Sequence, residues 1–185
     1  QETRRVWNEA GKNLSFADME NMALDAEFCA YFINPNDAGF ATPGDMPARI
    51  ADFCERTGQG TPDEAAAIRC VYDSLALYTA GKLAGLEKLL DVKYAAFNIV
   101  GGGTKDGFLM QLISDAMNIP VIAGPVEATA TGNILSQAIA SGILSGLDEA
   151  REMVRNSFEL ITYSPDAVSV ANFRKLAPAF SKIAQ

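Results

Sequence analysis

The sequence predicts an α/β fold rich in helix and poor in strand, and three observations carry that expectation. Residues 94–100 (Tyr-Ala-Ala-Phe-Asn-Ile-Val) form a short apolar run of strand type that ends on three consecutive glycines, Gly101, Gly102 and Gly103. From Gly107 the pattern turns helical, with Phe108, Leu109, Leu112, Ile113 and Ala116 three or four positions apart. A second short β segment, residues 119–125, follows and leads into another helical stretch.

Before the glycines the pattern is helical almost throughout. Residues 1–9 make a first helix, with Trp7 as a core residue, and Gly11-Lys12-Asn13 breaks it. Ser15 caps a second helix, with Asp18 three positions on as the reciprocal acid and Met19, Met22 and Ala23 on one face. Residues 32–44 contain Asn34-Pro35-Asn36-Asp37 and Thr42-Pro43-Gly44 and read as a strand end with loops. Pro47 starts a helix running to Thr57, and Pro62 opens a long one over residues 63–90. The long helix places Ala67, Val71, Leu75, Tyr78, Leu83, Leu86 and Leu90 on a stripe expected to be buried. After the second β segment, residues 126–144 return to helical spacing and begin with small residues around Glu127, which sits where a carboxylate complements the helix dipole. A short helix is expected at residues 148–156 and a last one bracketed by Pro165 and Pro178.

Composition narrows the function. The 185 residues are 49% hydrophobic, enough for one core of ordinary size. Fifteen basic residues against twenty-three acidic ones give a net charge of −8 with no Lys/Arg block, which argues against nucleic-acid binding. No apolar run reaches membrane-spanning length. Cys29, Cys54 and Cys70 lack CxxC spacing, and the chain has no His, so zinc is not expected. Cys54 and Cys70 meet if the helices flanking residues 58–62 pack antiparallel; buried free thiols are the expectation.

The glycine stretch is the place for chemistry. Glycine permits positive φ and leaves the backbone open to close approach, and the amides at the start of the next helix point outward. The run is neither GxGxxG nor followed by GK[ST], so a tight strand-to-helix turn and a ligand site both fit it. Asp106 is placed to cap the helix beginning near Gly107. Asp73 and Asp115 lie in helical patterns with no spacing that makes a metal pair.

Several motifs in one order add a resemblance. Residues 32–50 (FINPNDAGFATPGDMPARI), 68–77 (IRCVYDSLAL) and 98–142 (beginning NIVGGGTKDGFLMQ) are similar to stretches of the FGGY family of carbohydrate kinases, most closely its rhamnulose kinases, over residues 1 to about 165. The resemblance implies an incomplete ribonuclease H-like, actin-like ATPase domain: residues 1–185 as the C-terminal portion of the second kinase domain. The sugar-binding domain and a leading three-stranded meander would precede Gln1. It further implies a cytoplasmic enzyme using ATP and Mg²⁺ to phosphorylate the 1-hydroxyl of L-rhamnulose, xylulose or fuculose being the alternatives. A non-catalytic actin-like nucleotide-binding module is the reading from a different class. No catalytic and no metal-ligating residue is assigned within this chain.

For the nucleotide, Gly102 matches an ATP-contacting glycine of the family, Gly101 and Gly103 shape the same turn, and Gln1 matches an ATP-contacting glutamine. Where the family commonly has Gln-Asn after the glycines, this chain has Lys105 and Asp106. Asp106 then faces two roles, helix cap or acceptor for the adenine amino group. Absent leading strands would leave a bare sheet edge, covered either by upstream residues or by a homodimer.

Overall fold

The computed structural model describes residues 1–184. α1 (Glu2–Glu9) ends at the Gly11 break, and α2 (Phe16–Asp25) opens on the expected capping box. Ser15 Oγ accepts from the Asp18 N–H at 3.1 Å, and Asp18 Oδ2 accepts from the Ser15 N–H at 2.8 Å. α3 (Met46–Arg56) carries Pro47 in its first turn, where an N–H has no intrahelical partner to lose. Asp63 caps α4 (Glu64–Leu90) through the Ala66 N–H.

Residues 32–44 hold no strand. The amides of Phe32 and Ile33, both buried, donate instead to Gln59 Oε1 at 2.7 Å and Ser74 Oγ at 2.9 Å, so side chains supply what a neighbouring strand would. The long helix also buries a face different from the expected stripe. Ala67, Ile68, Cys70, Ala76 and Leu77 enter the core, Val71, Leu75, Tyr78 and Leu83 are half-buried, and Leu86 and Leu90 are exposed. Burial stops at Leu77 because α2 and α5 pack on the first half of the helix. Cys54 and Cys70 do meet, between α3 and α4, as free thiols; contact with Cys54 and then burial push the Cys70 thiol up.

The second half of the chain forms the sheet. β1 (Phe97–Ile99), α5 (Gly107–Met117) and β2 (Val121–Ala123) make a parallel unit, with Phe97 opposite Val121 and Ile99 opposite Ala123. α6 (Ala128–Ala140) and α7 (Leu147–Ser157) follow. β3 (Ile161–Tyr163), which the sequence reading lacks, then pairs antiparallel on the other side of β2. Three residues are too few for an alternating pattern to declare itself. α8 (Ala167–Ile183) runs through Pro178 rather than stopping there. Phe173 and Phe180, on either side of the proline, are both locked into the core, edge-on against Phe28 and Phe32.

Strand alternation divides the sheet. Phe97, Ile99, Val121, Ala123 and Tyr163 join Leu77, Met110, Ile113, Phe173 and Phe180 in the main core between the sheet and α4, α5 and α8. Asn98 and Ile122 point the other way, into a cavity of about 490 Å³ bounded by α6 and α7.

Candidate functional site: the glycine loop between β1 and α5

β1 leaves the core at Ile99, and the chain turns at once. Gly101 has φ +93° and ψ −172°, a backbone region open essentially to glycine alone. Its N–H donates to the Pro125 carbonyl at 3.0 Å, which braces the loop against the residues after β2. Its carbonyl accepts from the N–H of buried Thr104 at 3.1 Å and from Thr104 Oγ1 at 2.7 Å, closing a short 3-10 turn over residues 102–105. Gly124 holds the same junction from below: its N–H donates to the Ile99 carbonyl, and a Cβ there would stand 2.8 Å from Val100 Cγ1.

The outer side of the loop is open. Gly102 and Gly103 are exposed, and a Cβ on either would meet nothing within 4 Å. As the first residues of their turn they have no earlier carbonyl to bond within it, and their N–H groups donate to no backbone acceptor among the described residues. Two free amides on a glycine surface, followed by the N-terminus of an eleven-residue helix, match the chemistry of a polar or anionic ligand.

Asp106 ends the loop and begins the helix. Its Oδ1 accepts from the Leu109 N–H at 3.0 Å, the expected cap, and its Oδ2 accepts from the Tyr72 hydroxyl at 2.9 Å. Lys105 is exposed and forms no ion pair among the described residues. Gln1 lies at the start of α1, exposed, with no side-chain capping bond. Its neighbour Glu2 accepts from the Gly44 N–H at 2.8 Å, tying that end of α1 to the loop before α3. No hydrogen bond joins Gln1 to residues 101–106 among the described residues; the link between α1 and the loop runs through the apolar cluster of Trp7 and Ile68, against which Phe108 of α5 packs.

Three further residues bear on this region: Tyr72, to which the sequence reading assigns no role, and the two helical acids Asp73 and Asp115. Tyr72 packs edge-on to Phe108, with ring centroids 5.0 Å apart, and its bond to Asp106 spans thirty-four positions of sequence. Asp73 and Asp115 are both buried, with structural partners. Asp73 pairs with Arg69, and Asp115 Oδ1 accepts from Gln111 Nε2 and from the Asp166 N–H, each at 2.8 Å, anchoring the start of α8. Their helical positions were legible, but burial depends on distant backbone. Among the described residues no group of three or more His, Cys, Asp or Glu side chains gathers where a metal ion would sit, and no helix is long and apolar enough to cross a membrane.

Comparison with known proteins gives the chain's family and fold. The model of the FGGY family of carbohydrate kinases, C-terminal domain, matches residues 1–141. The rhamnulokinase of Bacillus subtilis (strain 168) is 39% identical over 163 residues, 88% of this chain and 34% of that protein. The rhamnulokinase of Ligilactobacillus salivarius (strain UCC118) is 36% identical over 162 residues, 87% of this chain and 33% of that protein. The chain thus spans about a third of the length of these curated relatives. In fold it is similar to the crystal structure of gluconate kinase from Lactobacillus acidophilus, with a TM-score of 0.69 at 18% identity over 93% of this chain and 34% of that one. The fold is the actin-like one expected from the sequence, helix-rich with a three-stranded sheet.

Proposed function

The chain belongs to the FGGY family of carbohydrate kinases, and from that premise we propose that it is the C-terminal portion of the second domain of an ATP-dependent kinase phosphorylating L-rhamnulose at its 1-hydroxyl. The observation that carries the reading is the open glycine loop: two exposed glycines with unbonded N–H groups at the head of α5, in a chain whose curated relatives are rhamnulokinases. ATP supplies the γ-phosphoryl group, and Mg²⁺ neutralises its phosphates. In this proposal Gly102 and Gly103 offer amides to the nucleotide, and Gly101 sets the turn. Gln1 contributes an amide that both donates and accepts, and Asp106 fixes the helix N-terminus beside the site. The enzyme is cytoplasmic. The acceptor for the sugar's proton, the sugar contacts and the groups that hold Mg²⁺ belong to the longer protein.

Phosphoryl transfer depends on positioning and charge stabilisation more than on covalent catalysis, so a rigid loop presenting fixed amides is a suitable contribution from this portion. The complete protein, supplied with MgATP, is expected to release ADP when L-rhamnulose is added, and less with xylulose or fuculose. A protein that binds MgATP yet phosphorylates no ketose across that panel would be the non-catalytic module instead. Preference for another ketose would move the substrate and leave the reaction class standing.

A further inference from the structure

We infer that Tyr72 is a positioning residue for the nucleotide loop, acting through Asp106; this rests on the reading above that an adenine nucleotide lies against residues 101–103. Asp106 is the hinge between two structures. Its N–H closes the glycine turn by donating to the Gly103 carbonyl at 3.2 Å, and its own carbonyl receives the Met110 N–H at 3.1 Å as the first bond of α5. Its carboxylate has one oxygen on the Leu109 N–H and the other on the Tyr72 hydroxyl. The orientation of this one residue therefore sets how the glycine amides point relative to the helix axis.

Tyr72 is the part of that arrangement anchored elsewhere. It stands on α4, stacks edge-on against Phe108, and packs against both the main core and the cluster around Trp7 and Ile68. Burial and the neighbouring Asp106 carboxylate push the Tyr72 hydroxyl upward, so at neutral pH it keeps its proton and donates. The ring fixes position and the hydroxyl transmits it. Removing only the hydroxyl leaves the ring packing intact and frees the half-buried Asp106 carboxylate to turn toward solvent or toward the nucleotide.

The test uses the full-length kinase and MgADP titrated by calorimetry, with steady-state kinetics in ATP and in ketose and a thermal melt for each variant. Tyr72→Phe is expected to weaken MgADP and raise the KM for ATP by about threefold to tenfold, inside the range of couplings carried by residues that touch neither ligand. The KM for ketose should stay at its wild-type value and the melting temperature should fall only slightly, a split between the two substrates that a merely structural role would not produce. Asp106→Ala should show a similar nucleotide loss, and the double variant should lose no more than Asp106→Ala alone, because the hydroxyl then has no carboxylate to hold. Additive losses, or unchanged MgADP affinity in Tyr72→Phe while Gly102→Val weakens it, overturn the inference. Unchanged affinity in Gly102→Val itself overturns the loop's role in nucleotide binding, and Tyr72's role with it.

Discussion

Gly101 and Gly102 are adjacent and chemically identical, yet a side chain at each meets a different obstacle. At Gly101 there is space for a Cβ, but φ +93° with ψ −172° is a conformation L-residues resist. Gly101→Ala is therefore expected to cost about 1–3 kcal/mol of stability, read by chemical denaturation. At Gly102 the backbone is ordinary and nothing lies within 4 Å of a Cβ, so Gly102→Val should leave stability within about 1 kcal/mol. What it fills is the open face on which the nucleotide is proposed to rest. The expected result is a rise of about tenfold in the KM for ATP, equivalent to about 1.4 kcal/mol, with the KM for ketose unchanged. An unaltered KM for ATP removes the loop from the site. The run of glycines was legible in the sequence as a turn or a site; which glycine serves the backbone and which the surface was not, since that depends on φ and on the bond from Gly101 to Pro125 beyond β2.

Between elements, one buried ion pair organises the junction of α2, α4 and α5. Arg69 Nε lies 2.9 and 3.0 Å from the two carboxylate oxygens of Asp73, and Asp73 Oδ2 also accepts from the Cys29 N–H at 2.7 Å. Arg69 Nη1 donates to the carbonyl of Ala23, in the last turn of α2, where helical carbonyls lack partners, and the guanidinium lies over the rings of Phe28 and Phe108. Burial pushes the Asp73 carboxyl up, against the opposing pull of Arg69 and the Cys29 N–H. Breaking such a pair strands a charge in the core, so Asp73→Ala should cost about 3–5 kcal/mol, whereas Arg69→Met/Asp73→Leu together should recover most of that loss. Thermal and urea unfolding of the two variants decide it: equal losses would mean the hydrogen bonds to Cys29 and Ala23, rather than the charge, hold the junction. In the sequence Asp73 reads only as an acid in a helical pattern; the backbone that meets it and Arg69, at Cys29 and Ala23, lies more than forty positions away. The caps at Ser15 and Asp106 were legible because each bond closes within three residues. β3 and the passage of α8 through Pro178 were not, because pairing with β2 and the anchoring of Phe173 and Phe180 settle them.

Across the whole molecule, one sheet edge and several large apolar side chains remain open to solvent. β1 bonds to β2 on one side: the Phe97 N–H reaches the Pro120 carbonyl, and the Ile99 carbonyl receives the Gly124 N–H. In a parallel ladder that alternation turns the N–H and C=O of Asn98 to the outer edge, a template for another strand. Nearby, α6 buries no residue, Ile134 is 67% exposed, and the second half of α4 presents Leu86, Leu89 and Leu90 to solvent. The matched part is about a third of each curated relative, so those proteins have further chain. The isolated 185-residue chain is therefore expected to associate with itself, its mass by light scattering rising with concentration, while the complete kinase protects the Asn98 amide in hydrogen exchange. Asn98→Pro separates edge pairing from general stickiness. Its N–H points away from β2, so a proline there leaves the β1–β2 bonds intact but denies the outer edge its donor. If edge addition drives association, Asn98→Pro shifts the isolated chain toward monomer without lowering its melting temperature; if the leucines of α4 drive it, the mass is unchanged and Leu89→Lys shifts it instead. A monomer at every concentration would mean that the edge and the apolar surface of this portion are closed by its own packing.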